Sequence, residues 1–386
     1  MISNVHRVMV IAGEASGDRI AARAIREARR IAEKNDGKLD FYGIGGDECA
    51  REGMDCYYKA KDMSVVGFVE VAKRAGFFKR VLREMTDLLN HNDTRPDVLV
   101  LVDYPGFNIR LAREAKKQGV RIVYYVSPQV WAWHGERVHE LKDLVDEMLV
   151  IFPFEQDIYR KAGLANAHFI GHPLCELIRE EKEHFGTKSD FAAKHGLDPN
   201  RDWLVIFSGS RSEEVRRLLP VMSAAARDLA TKHDLLPIVV QAGTIDKDVY
   251  LRNGAEGFAT IRNSRSSHEL MSHASAGILK SGTTTLEAAL LGLPGVICYK
   301  THPVTFAIGK RLVKLPYIGL SNIVIGKKIY PELLQGECTK ENIIREVESV
   351  IADRETFTRE TNGLIDKLLP SRVSPSRRAA ESILNV

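Results

Sequence analysis

The chain has 386 residues, 44% hydrophobic and 27% charged, with a formal net charge of +4. These proportions exclude a disordered chain and, at roughly 150 residues per domain, predict two to three domains with sizeable cores. The small positive charge is no footprint for nucleic acid and is compatible with an anionic substrate or a membrane surface.

VMVIAG (8–13) reads as a buried first strand, because acidic Glu14 and Asp18 follow where a secretory leader would stay apolar. The turn GEASGD (13–18) comes next. Gly13 and Gly17 allow close backbone approach, Ser16 or Asp18 suits a helix cap, and the Ala/Ile stripe over 19–34 predicts the helix. The turn is not GxGxxG: a third glycine is missing, and Glu14 stands where a dinucleotide pyrophosphate would approach. A carboxylate there suits the hydroxyls of a sugar acceptor. DFYGIGG (40–46) is a second strand and turn. In residues 63–81, MSVVGFVEVAKRAGFFKRV, apolar residues alternate with Lys73, Arg74, Lys79 and Arg80, which fits an amphipathic core helix or an interfacial segment.

DVLVLVD (97–103) is short, unbroken and β-branched, as expected of a strand covered on both faces. It runs into DYPGFN (103–108). Asp103 is therefore expected at a strand end, as a cap or as a general base on a hydroxyl, with Pro105 and Gly106 tightening the turn and Asn108 capping the next helix. A helix over 110–118 and the strand RIVYYVS (121–127) follow. SPQVWAWHGERV (127–138) places Trp131 and Trp133 in a loop as a pocket wall, with His134 read as structural. EMLVIFPFE (147–155) continues the series.

Residues 176–202 are rich in charge and turn formers and are expected to be a linker. A second α/β series begins with WLVIFSGS (203–210) and a helix from Glu213. LPIVVQAG (236–243), AGILKSG (276–282), a helix over 284–291 and GVICYK (295–300) complete it. Gly209, Ser210 and Arg211 suit a diphosphate through backbone N–H groups, the helix dipole and a guanidinium. SGTTTLE (281–287) opens a helix with Ser281, Gly282, Thr283 and Thr285, a second phosphate turn on the other side of the same expected cleft. Glu287, one turn in, suits two vicinal ribose hydroxyls. No Gly-Lys-Ser/Thr completes a Walker A loop, and no Asp-x-Asp metal motif stands out. The five cysteines, Cys49, Cys56, Cys175, Cys298 and Cys338, form no CxxC pair and read as reduced structural thiols. Alternating βα units in both halves predict an α/β protein with two Rossmann-like, parallel-sheet domains facing a cleft.

These turns, with MSVVGFVEV (63–71), YYVSPQVWAW (124–133), PFE (153–155), GHPL (171–174) and IGLSNIVIGKKIYPELLQ (318–335), resemble the lipid-A-disaccharide synthases, bacterial glycosyltransferases of the GT-B fold. The resemblance spans nearly the whole chain. It implies an acceptor domain over 1–175, a UDP-sugar domain over 176–360, and a helix within 361–386 that crosses back to the first domain. It implies an inverting transfer from UDP-2,3-diacylglucosamine to 2,3-diacylglucosamine 1-phosphate, giving a β(1→6) tetraacyl disaccharide 1-phosphate and UDP. Asp103 would be the base on the acceptor 6-hydroxyl. Glu14, Ser16, Asp18, Asn108 and Trp131 would lie on the acceptor side. Gly209, Ser210, Arg211 and the 281–285 turn would hold the diphosphate, Glu287 the ribose, and Asn322 and Gln335 would line the nucleotide side. The resemblance further implies no cofactor or metal and a cytoplasmic enzyme held peripherally at the inner membrane, and it leaves a homodimer open. Phe207-Ser208 stand where the family has Leu-Pro, Ile151-Phe152 where it has Ile-Leu, and Ser321 where it has Pro. The alternatives are a MurG-like transferase, a non-hydrolysing UDP-N-acetylglucosamine 2-epimerase, or a non-catalytic sugar-nucleotide-binding protein, the last disfavoured by Asp103.

Overall fold

The computed structural model describes residues 7–63, 74–131, 135–263, 265–303, 306, 315–371 and 373–385. The chain forms two compact units, Met1–Pro173 with Leu368–Val386, and Leu174–Lys367. The sequence reading put these limits at 175/176 and 360/361.

The first unit holds a parallel seven-stranded sheet of β1 (Arg7–Ala12), β2 (Asp40–Gly45), β3 (Asp55–Lys59), β4 (Val98–Val102), β5 (Arg121–Tyr125), β6 (Glu147–Val150) and β7 (Ala167–Phe169), in the order β3-β2-β1-β4-β5-β6-β7. Every residue of β4 is buried, which is why VLVLV shows no alternation. The helix Ala15–Glu33 buries an alanine and isoleucine face, including Ala21, Ala24, Ile25, Ala28 and Ala32. The helix Pro375–Leu384 packs against it, burying Ala379, Ala380, Ile383 and Leu384, and Arg121 Nη1 donates to the Ser382 carbonyl at 2.9 Å. Of residues 63–81, 64–73 lie outside the described residues. Beyond them, Ala75–Asn90 is an amphipathic helix that buries Val81, Met85 and Leu89, with Phe77 and Phe78 packed at the core's margin. The Arg74 and Arg80 guanidiniums lie 4.6 and 5.6 Å from the centre of the Phe77 ring.

The second unit holds a parallel six-stranded sheet of β8 (Asp202–Phe207), β9 (Leu235–Gln241), β10 (Ala259–Arg262), β11 (Ala276–Lys280), β12 (Gly295–Tyr299) and β13 (Glu332–Leu334), in the order β10-β9-β8-β11-β12-β13. The expected linker is instead largely helical, over Pro173–Lys182 and Lys188–His195. The second of these opens with a capping box between Thr187 and Asp190 and ends on Gly196 at φ 66°. Local caps thus outweigh a polar composition. Among the described residues no helix is long and apolar enough to cross a membrane.

Candidate active site

In a doubly wound sheet, ligands gather beyond the carboxyl ends of the strands, where the strand order reverses. In the first unit that point lies between β1 and β4, whose following turns are GEASGD and DYPGFN. In the second it lies between β8 and β11, whose following turns are GSR and SGTTTLE. Four of the five turns selected from sequence are therefore the turns at the two switch points; the fifth, SPQVWAWHGERV, follows β5.

Asp103 leaves β4 on left-handed backbone, φ 46°, and Tyr104 follows at φ 48°. Such a pair of non-glycine residues persists only where neighbours hold it. The Asp103 N–H donates to the Tyr125 carbonyl at 3.2 Å, and its own carbonyl accepts from Asn108 Nδ2 and the Tyr124 hydroxyl, both at 2.7 Å. Gly13 lets the β1 turn close against the Tyr104 ring, since a Cβ there would fall 2.6 Å from a ring carbon. Burial and the charge of Glu14 push the Asp103 carboxyl up to about 6, against the opposing effect of the Tyr104 N–H.

Two acceptor-side expectations change. Asn108 is fully buried and neither caps a helix nor is open to an acceptor; its Nδ2 holds the Val102 and Asp103 carbonyls. Asp18 is buried too, and its carboxylate accepts N–H bonds from Gly46 at 2.7 Å, Glu48 at 3.1 Å and Cys49 at 3.0 Å. It caps the neighbouring helix Asp47–Arg51, not the helix on which it lies, whose N-cap is Glu14 with no side-chain bond. Asp18→Ala should therefore cost about 2–4 kcal/mol by stranding these donors. Chemical denaturation measures this; a loss below about 1 kcal/mol would exclude the anchoring role. Glu14 and Ser16 remain exposed. The Trp131 indole N–H donates to Glu155 Oε1 at 2.8 Å, and the ring meets Phe152 and Phe154 edge-on. Glu155, which the sequence reading did not single out, also accepts the Ile151 and Phe152 N–H groups. Trp133 and His134 lie outside the described residues.

In the second unit the GSR turn carries Gly209 at φ 118°, and the Ser210 N–H donates to Glu214 Oε2 at 3.0 Å. Glu214 Oε1 lies 2.8 Å from Lys280 Nζ and 3.8 Å from Arg211 Nη1. Arg211 is exposed, as is Thr283, while Ser281 and Gly282 are half-buried. The Ser281 hydroxyl donates to the Ile318 carbonyl at 3.0 Å. Thr285 is fully buried and donates to the Gly282 carbonyl at 2.9 Å, so its hydroxyl braces the turn from inside and does not face a phosphate. Glu287 Oε1 lies 3.6 Å from Nε2 of His268, whose Nδ1 lies 2.5 Å from Glu181 Oε2. Burial would strip the proton from His268, but the two carboxylates outweigh it and hold the ring protonated, with its pKa up at about 9.

Two residues expected on the nucleotide side already have protein partners. Asn322 is fully buried, and its amide accepts from the Ile329 and Tyr330 N–H groups and donates to the Tyr330 carbonyl and Glu332. Gln335 accepts the Thr301 N–H at 2.8 Å and donates to the Thr301 carbonyl at 3.1 Å, extending the end of β13 as a strand would. Asn322 is thus a buried structural tie, while Gln335 is half-buried. His268, Glu181, Glu214 and Lys280 were missed; the only local signal was Lys280, the residue before Ser281-Gly282. Among the described residues no group of three or more His, Cys, Asp or Glu is arranged to hold a metal ion.

Two doubly wound parallel units with glycine- and hydroxyl-rich turns at both switch points define the GT-B class of glycosyltransferases and epimerases. A UDP-GlcNAc 2-epimerase from Neisseria meningitidis, solved bound to UDP-GlcNAc, superposes with a TM-score of 0.64 at 13% identity, covering 99% of this chain and 100% of that one. The calicheamicin glycosyltransferase CalG4 does so with a TM-score of 0.56 at 13% identity, covering 98% of each chain. At these identities the likeness is one of fold alone. In sequence, the Lipid-A-disaccharide synthetase family matches residues 8–384. The lipid-A-disaccharide synthase of Geobacter sulfurreducens is 39% identical over 90% of this chain and 88% of its own length. That of Myxococcus xanthus is 37% identical over 100% and 98%. The chain belongs to the lipid-A-disaccharide synthase family of glycosyltransferases.

Proposed function

We propose that the chain catalyses the inverting transfer of 2,3-diacylglucosamine from its UDP derivative to 2,3-diacylglucosamine 1-phosphate, forming a β(1→6) tetraacyl disaccharide 1-phosphate and UDP. Family membership over residues 8–384 carries the reading. Asp103 supplies the chemistry that the transfer needs. A carboxylate with its pKa near 6 is ionised at neutral pH yet basic enough to take a proton from a hydroxyl. As that proton passes to Asp103, the acceptor 6-oxygen attacks the anomeric carbon. The bond from that carbon to the diphosphate breaks, and its electron pair leaves on UDP. One in-line displacement inverts the centre.

The leaving diphosphate is stabilised by Arg211, by the Gly209–Ser210 turn and by the helix N-terminus that opens at Gly282 and Thr283. Glu287 accepts the ribose hydroxyls, with His268 steadying it. Exposed Glu14 and Ser16, with Trp131, serve the acceptor. Exposed Lys79 and Arg80 meet anionic headgroups at a membrane surface, where acylated substrates reside. Moderate salt should then release the protein from membrane vesicles; full recovery in the soluble fraction at low salt would remove this surface role.

The test is direct. Purified protein is incubated with both substrates, and UDP release and product mass are followed. A tetraacyl disaccharide 1-phosphate formed only with both substrates is the expected result. Conversion of UDP-N-acetylglucosamine alone into its 2-epimer, with no disaccharide, would replace the reading with the epimerase one.

A further inference from the structure

Glu214 is a carboxylate seated where an anion would sit. Its Oε2 takes the Ser210 N–H at 3.0 Å, and a Cβ at Gly209 would collide with it. Its Oε1 takes Lys280 Nζ at 2.8 Å, with Arg211 Nη1 at 3.8 Å. The Glu214 and Lys280 side chains are 16% and 21% exposed, so both charges are largely withdrawn from water but still reachable. Lys280 is the last residue of β11 and stands across the switch point from the β8 turn. A methyl group built on Gly282 would lie 3.8 Å from its ammonium. One lysine thus stands beside both proposed phosphate turns.

Two cations share one carboxylate here, leaving a local charge of about +1. The carboxylate binds a backbone N–H and an ammonium at once, as a phosphate oxygen does. We propose that Lys280 is a diphosphate-binding residue of this chain, and that Glu214 holds it in register between the two turns and yields it when the diphosphate enters. The inference rests on the UDP-sugar reading above and adds to it a cation that lies outside GSR and SGTTTLE. On diphosphate binding the Lys280–Glu214 pair breaks and a lysine–phosphate pair forms, with no change in protonation.

Calorimetry of UDP and of uridine binding to the full-length chain tests this. Lys280→Met should weaken UDP about tenfold, as expected for a lost charge-assisted bond, and leave uridine within about twofold. Lys280→Arg keeps the cation and should bind UDP within about threefold of the wild type. Glu214→Gln keeps an acceptor for the Ser210 N–H but removes the competing charge. It should tighten UDP by about threefold or more, a gain lost when Lys280→Met is added. Unchanged UDP affinity in Lys280→Met, or equal weakening of uridine, overturns the role of Lys280. Weaker UDP binding in Glu214→Gln overturns the competition. A wild-type chain that binds no UDP fails the donor reading itself, and this inference with it.

Discussion

Asp103→Asn is expected to lower kcat by about 10²–10⁴-fold, the usual worth of a general base. The same substitution should raise stability at neutral pH. The Asp103 carboxyl has its pKa raised by burial and by Glu14 to about 6, from an ordinary 3.8. Between those values the folded chain holds a proton that the unfolded chain has released. The ionised group therefore costs stability as pH rises through that window; the cost is absent below it and full above about 6. The amide carries no such cost, so the gain from Asp103→Asn should grow with pH and level at about 1–3 kcal/mol. Asparagine also tolerates the left-handed backbone at this position. The wild-type kcat/KM should climb with pH up to about 6 and then flatten, because the base acts only when ionised. Parallel rate–pH and denaturation–pH curves test both halves. A variant that is inactive but less stable at pH 7.5 would show that the side chain is structural; one that turns over normally would remove it as the base.

Asn322→Ala should destabilise the second unit by about 3–5 kcal/mol. The amide makes four bonds in a fully buried setting: 2.9 and 3.0 Å from the Ile329 and Tyr330 N–H groups, 2.9 Å to the Tyr330 carbonyl, and 2.8 Å to Glu332. Alanine leaves two N–H groups and a carbonyl without a partner. Asn322→Asp should be no milder, because it sets a second carboxylate against Glu332. Fluorescence of Trp203, wholly buried in this unit, follows the loss during urea unfolding. If Asn322 instead touched the nucleotide, the variant would keep its unfolding midpoint and show a raised KM for the UDP-sugar.

These two residues mark what a sequence discloses. The strands were legible because runs such as VLVLV have no polar face, and the four turns because small and charged residues follow those runs directly. Asp103 was legible as a strand end. The partners were not. Asp18 caps a helix through bonds that span 28 to 31 residues, and Glu181 meets His268 across 87 residues. No local pattern records a bond of that span, so polar residues at turns read as ligand contacts when folding had already given them protein partners. The linker was misread for the opposite reason: Thr187 and Gly196 set a helix locally, and counting charges hides them.

The packing of Pro375–Leu384 on Ala15–Glu33 has a consequence for the order of biosynthesis. Strands β1 to β7 belong to a unit whose helix Pro375–Leu384 is translated only after the whole of the second unit. The second unit has all its residues first and can fold first. Until that helix emerges, the part of the Ala15–Glu33 face that it covers is open, and the nascent chain presents it to chaperones or to other nascent chains. Mutations in Pro375–Leu384 should therefore act on yield in the cell more than on the chemistry of the folded enzyme.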